Sequence, residues 1–342
     1  MKKYYILLFL FCCVNTLWAQ FKLSGKIIHY SGQKELKINI PSVYVYNEAN
    51  SIIIPVAKDG SFAVTLPVKK QTFGNLAFQQ TFYLLLLNSN KNLVVELNET
   101  DKSLKPLSGS SLPENNLLQT VPIEEFPFFL QNFSTYVNLN IEAMNEKVVK
   151  PFFAARDKKI AVINNSNIKL KDKKLIAAEA KYAAYNNLYE LTEQGSQNMV
   201  TINKLLFDVF SKVNSKPDVL PAGPEYYLFA NNYMGCIEHT VGGQIKTGVI
   251  KPDQSISYYG ITAKEAAALS DKYGSPYMRW TSACKVLPPT VAEQLGYQYF
   301  TTASGNKNAV LANVLATEFV KKFPNSAHND EIRKKVNALK PN

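Results

Sequence analysis

The period of the hydrophobic pattern changes near residue 100, and that change demands a chain of two dissimilar parts. From Phe21 to about Asn98, apolar residues recur at every second position in short runs separated by turn residues. Phe21–Ile27, Leu36–Ile40 and Phe62–Leu66 alternate in this way. Val43–Tyr46, Ile52–Val56, Phe82–Leu87 and Leu93–Leu97 are runs of strand length, rich in β-branched, aromatic or leucine residues. Asp59-Gly60 marks a turn, and Asn88–Asn92 joins two of the strands. Short strands at this spacing predict an antiparallel β-sandwich or barrel over residues 20–100. Pro41, Pro55 and Pro67 fall at strand ends or edges, where a missing N–H is tolerated.

Residues 101–122 read as a linker: Asp101–Leu112 is rich in Ser and Lys, and Pro106, Pro113 and Pro122 punctuate the stretch. From there to Asn342 the period is helical. Helices are expected over Glu124–Asn145, Val148–Asn164, Leu170–Gln194 (stopped by Gly195), Met199–Val213 and Pro224–Thr240 (stopped by Gly242-Gly243). Thr262 with Glu265 three residues on is a capping-box signature that opens another helix. Pro289–Thr301, Asn308–Phe323 and Asn329–Leu339 complete an all-α helical array over residues 123–342. It has a repeat-like look without a clean tetratricopeptide period. The fold class is therefore α+β.

Residues 1–19 have the form of an export signal. Lys2 and Lys3 precede the unbroken apolar run Tyr4–Val14, and Ala19 is the small residue at the cleavage point, leaving Gln20 as the mature N-terminus. A run of 11 residues falls short of the roughly 20 needed to cross a bilayer, and no later segment qualifies. Cys12 precedes Cys13 and Phe11 precedes Cys12, so neither is a lipidation site. The expected location is the periplasm or outer envelope of a Gram-negative bacterium, with no membrane anchor. There Cys236 and Cys284 are free to pair or to remain buried thiols. The net charge of +11 comes mostly from lysine. Lys169–Lys174 reads as a solvated helix face, and without arginines interleaved with exposed aromatics no nucleic-acid partner is expected.

The opening Ala19-Gln20-Phe21-Lys22-Leu23-Ser24-Gly25-Lys26, the strand start Asp59-Gly60-Ser61-Phe62, and Phe323-Pro324-Asn325-Ser326 followed by a helix carry a family likeness. Together they resemble the N-terminal β-domain and helical region of exported TlpA-like thiol–disulfide oxidoreductases of Bacteroidetes. The resemblance spans most of the chain through short motifs. It implies a scaffold that precedes a thioredoxin domain, and no thioredoxin domain is expected within these residues.

Trp280-Thr281-Ser282-Ala283-Cys284-Lys285 imitates a thioredoxin Trp-Cys-x-x-Cys-Lys site. Thr281 stands where the attacking thiolate is required, and helical patterns surround the string. Ser282 and Lys285 match Ser-x-x-Lys, and Lys246-Thr247-Gly248 matches its usual companion. Their chain order is the reverse of that in penicillin-binding proteins, however. Cys236 and His239 lie one helical turn apart without the further ligands zinc requires. Gly242–Gly248 lacks the Lys placement of a P-loop. Glu124-Glu125 suits a helix start. No catalytic residue, cofactor or metal ligand is assigned.

The expected function is that of an exported, non-catalytic binding or scaffold protein with a protein partner in the envelope. The alternative is an accessory of thiol–disulfide exchange, acting with a separate thioredoxin-like partner or through a low-pKa Cys284. Candidate thiol or disulfide residues are Cys236 and Cys284. The candidate partner surface is Phe128, Phe129, Tyr226 and Tyr227.

Overall fold

The computed structural model describes residues 19–32, 34–46, 51–123, 125–192 and 198–339. Residues 1–18 of the expected export signal, Glu124 of the acidic pair and the expected helix stop at Gly195 lie outside the described residues. The chain divides into two compact units. One takes in the chain up to Pro41 and Tyr46–Pro122; the other takes in Ser42–Val45 and Ile123–Asn342.

Alternation of apolar and polar residues gives each strand of the first unit one buried face. The strands are β1 (Phe21–Ile28), β2 (Leu36–Asn39), β3 (Ser51–Ile54), β4 (Ser61–Leu66), β5 (Thr72–Phe78), β6 (Thr81–Leu87), β7 (Lys91–Asn98) and β8 (Ser103–Ser108). They form two four-stranded sheets, ordered β4-β1-β7-β8 and β3-β2-β5-β6. Pairing is antiparallel except between β1 and β7, which run parallel. Phe21, Leu23 and Ile27 of β1 share one core with Ile38, Leu76 and Leu85 of the other sheet. This is the expected sandwich.

Two expectations for this region are corrected, and one strand is added to it. Strand β5 was not legible because Gly74 and Asn75 are poor strand formers, yet it pairs with both β2 and β6. Val43–Tyr46 is not a strand; Val43 is buried in the core of the second unit. Nor are residues 101–122 a linker: they carry β8 and a helix, α1 (Leu112–Thr120). Pro106 is tolerated because β8 lies at a sheet edge. Helix α1 covers the opposite problem, the exposed edge of β6. The Asn115 side chain accepts from Leu86 N at 2.9 Å and donates to Leu86 O at 3.1 Å. It thus takes the place of a neighbouring strand. Glu114, buried beside it, accepts from Asn88 Nδ2 at 2.9 Å and from Lys91 Nζ at 2.5 Å. A polar-looking stretch is therefore the lid on an edge that would otherwise invite pairing.

The second unit is helical. Short helices α2 (Phe128–Gln131), α3 (Phe133–Tyr136) and α4 (Ile141–Met144) replace the single helix expected over Glu124–Asn145, and a π-turn at Asn145–Val149 leads into α5 (Lys150–Asn165). Then follow α6 (Leu170–Tyr189), α7 (Met199–Phe210), α8 (Pro224–Lys246), the two-residue strands β9 (Ser255–Ile256) and β10 (Ile261–Thr262), and α9 (Ala263–Tyr273). The last helices are α10 (Ser275–Val286), α11 (Pro289–Gly305), α12 (Ala309–Lys322) and α13 (Asn329–Ala338). From α9 to α13 each helix packs on the next.

The core of this unit is rich in aromatic rings. Phe210 stacks on Phe229 with centroids 5.1 Å apart, and Tyr182 meets Tyr226 edge-on at 5.0 Å. Helix α8 runs through Gly242 and Gly243, which were expected to stop it. Val241 and Ile245, one turn apart, pack on the core and carry the helix past them. Among the described residues no helix is long and apolar enough to cross a membrane.

Candidate functional site

Helix α10 is set by its ends. Gly274, at φ 78°, turns the chain out of α9 in a conformation that L side chains rarely adopt, and Pro276 occupies the first turn. On the helix, Tyr277, Trp280, Thr281, Cys284 and Lys285 fall on one stripe. On α12, Glu318, Lys321 and Lys322 fall on another. The two stripes, with Ile261 and Leu269, line an open cleft of about 520 Å³. Most of the thioredoxin-like string therefore faces one cleft, as part of a helix.

Glu318 organises the wall of the cleft. Its carboxylate accepts from Tyr277 OH at 2.6 Å and from Trp280 Nε1 at 2.7 Å. Both rings are almost fully buried and present little more than an edge. The Trp280 ring rests against Gly296, where an added Cβ would come within 2.3 Å of Cζ3. Phe319 supports it with centroids 6.2 Å apart. Burial and the adjacent Glu318 carboxylate hold the Tyr277 phenol well above its ordinary range. Lys285, Lys321 and Lys322 are exposed at the rim. An aromatic wall ringed by three ammonium groups suits an anionic ligand with an apolar body.

Cys284 lies in this cleft, partly buried, and Cys236 is buried on α8. Neither is bonded to the other. Burial pushes the Cys284 thiol up to about 12, against the opposing pull of Lys322. Burial likewise pushes Cys236 up to about 12, against Arg279. The low-pKa Cys284 considered from the sequence is therefore corrected: the thiol form prevails near neutral pH. Iodoacetamide should label Cys284 in the native protein more than tenfold more slowly than an unperturbed thiol, because burial keeps the thiolate scarce and outweighs the thiolate's greater intrinsic nucleophilicity. Both thiols should react after denaturation without reductant. Timed mass spectrometry checks this; labelling of native Cys284 at the rate of a free thiol contradicts it.

The expected partner surface is not assembled. Phe129 and Tyr226 are core residues, with 0% and 1% of their surface exposed. Phe129 packs edge-on to Phe152 at 5.0 Å, and the Tyr226 hydroxyl donates to Ser215 O at 2.5 Å. Phe128 and Tyr227 are half-buried. Aromatic density in the sequence marked packing here. Ser282 is fully buried and bonds to its own helix at Met278 O, 3.2 Å away, while Lys285 is exposed. Glu238 of the Cys236–His239 string pairs with Arg279 at 3.0 Å, and among the described residues no cluster suits a metal ion.

Sequence reasoning missed Tyr277, Glu318, Lys321 and Lys322. One signal was available: a buried Trp must place its N–H, and Glu318 is the acceptor. Compared with protein-family models and with curated proteins, the chain matches none.

Proposed function

We propose that this chain is an exported, non-catalytic binding protein of the cell envelope, and that the α10–α12 cleft receives an acidic, partly apolar segment of a partner protein. The observation that carries the reading is the ring of Lys285, Lys321 and Lys322 around the Tyr277–Trp280 wall. The export signal read in residues 1–19 and the TlpA-like scaffold resemblance support the compartment. Exposed ion pairs contribute at most about 1 kcal/mol each and are screened by salt. Apolar contact with Ile261, Leu269 and the ring edges therefore supplies most of the affinity, while the lysines select for carboxylates and speed encounter. The Cys284 thiol, held protonated, contributes surface rather than reactivity.

Trp280 reports on this directly, because it is the sole tryptophan in residues 20–342. A peptide of alternating Glu and Leu should change Trp280 emission saturably in a chain beginning at Gln20. The same peptide with Gln for Glu should bind at least tenfold more weakly. The double variant Lys321→Glu, Lys322→Glu alters exposed side chains only and should weaken the acidic peptide by about tenfold or more, two screened ion pairs being lost and reversed. Equal binding of the acidic and neutral peptides, or an unaffected double variant, defeats the reading.

A further inference from the structure

A second cavity of about 440 Å³ lies within the helical unit, walled by Tyr44, Asn231, Tyr273, Arg279, Tyr299 and Asn308 among others. Arg279 gives its Nε–H to Glu238 Oε2 at 3.0 Å, and only a quarter of its side chain is exposed. Among the described residues no other acceptor takes its remaining N–H groups. Those remaining N–H groups are left to solvent or to a ligand, and an anionic acceptor that takes them gains charge-assisted hydrogen bonds. The Tyr44 hydroxyl likewise has no partner among the described residues. Asn308 spends its side-chain oxygen on Leu311 N at 3.1 Å, which leaves its NH₂ group.

The opposite wall is fixed. Tyr299 OH donates to Asn231 Oδ1 at 3.1 Å, and Asn231 Nδ2 donates to Asn232 Oδ1 at 3.2 Å. Asn232 Nδ2 donates to Asn186 Oδ1 at 3.1 Å, and Asn186 Nδ2 donates to Glu225 Oε2 at 2.6 Å. This buried relay engages the oxygens on that side and holds Tyr299 in place. What remains in the cavity is the charged Arg279 fork, the Tyr44 hydroxyl and the Asn308 NH₂ group beside the neutral Thr302 and Asn306 side chains, with Tyr273, Pro276 and Leu311 as apolar walls.

We propose that this cavity is a binding site for a small carboxylate with a flat apolar body. The carboxylate accepts from the free N–H groups of Arg279 and from Tyr44 OH, and the body lies among Tyr273, Pro276 and Leu311. A carboxylate matches the planar fork of a guanidinium better than a neutral acceptor does. The volume is within the range of small-molecule sites. The site is separate from the lysine-ringed cleft and does not depend on it.

The probes are benzoate, its neutral counterpart benzamide, and inorganic phosphate, added to the chain beginning at Gln20 and followed by saturation-transfer NMR and calorimetry. Benzoate should bind, benzamide at least tenfold more weakly, and phosphate no better than benzamide. Tyr44→Phe removes one oxygen and should weaken benzoate about tenfold. Arg279→Lys keeps a cation beside Glu238 and should weaken it by at least as much; should that variant misfold, Tyr44→Phe decides alone. The double variant Lys321→Glu, Lys322→Glu should leave benzoate binding unchanged, which separates this site from the cleft. Benzoate binding no tighter than benzamide, phosphate binding as tight as benzoate, or full benzoate affinity in Tyr44→Phe overturns the proposal.

Discussion

Gly25→Ala is expected to destabilise the β-sandwich by about 3 kcal/mol or more, at the upper end of the cost of overpacking a core. Gly25 lies in the central strand β1, opposite Val95 on one side and Phe62 on the other. A Cβ added there would lie 2.0 Å from Val95 O and 2.8 Å from Phe62 Cζ. The first clash is with backbone, which no rotamer change relieves. The Phe62 ring instead fills the space the glycine leaves, an aromatic compensating for a missing side chain. A domain is stable by only about 5–15 kcal/mol, so the loss is a large share. Urea unfolding followed by circular dichroism should show a much earlier midpoint for the β-signal. A midpoint within error of the wild type would mean that β1 and β7 do not approach as described.

The second large effect is expected in alkali. Burial pushes Tyr44, Cys236 and Cys284 up to about 12. Burial first, then neighbouring charges and hydrogen bonds, holds the phenols of Tyr182, Tyr226 and Tyr259 well above the ordinary range. In the unfolded chain thiols release protons near pH 8.5 to 9 and phenols near 10. Above about pH 9 the unfolded state therefore binds fewer protons than the folded one, and stability falls as pH rises. The contribution of these groups is complete below that point and is lost as pH climbs toward 12. The tyrosinate absorbance of these buried phenols should appear in one cooperative step, together with loss of helix. Independent phenol titration near pH 10 with the helix signal intact would contradict the burial of these rings.

Local signals were legible wherever the decisive contact lies a few residues away. The Thr262–Glu265 capping box forms as expected, with Glu265 N donating to Thr262 Oγ1 at 3.3 Å and Thr262 N donating to Glu265 Oε2 at 2.8 Å. The alternation of β1, β4 and β7 foretold their buried faces for the same reason. Legibility failed where a distant partner outweighs a local preference. Helix-interior glycines cost about 1 kcal/mol each, but packing of Val241 and Ile245 carries α8 through two of them. Asn115 looked like linker composition, and only its pairing with Leu86 shows what it does.

The candidate site was half visible. The string Trp280–Lys285 imitates a redox motif whose first cysteine is already missing in the sequence, and the structure places Trp280, Thr281, Cys284 and Lys285 along one cleft. Periodicity by itself determined that this chain has a β part followed by an α part, because burial of alternate or every third-to-fourth residue is a property of each element alone. Only the tertiary structure decided that Glu318 meets Trp280 and Tyr277, that three lysines ring one cleft, and that Tyr44 shares a cavity with Arg279. Those pairings join residues tens to hundreds of positions apart. They depend on the packing of whole helices, which no local pattern encodes.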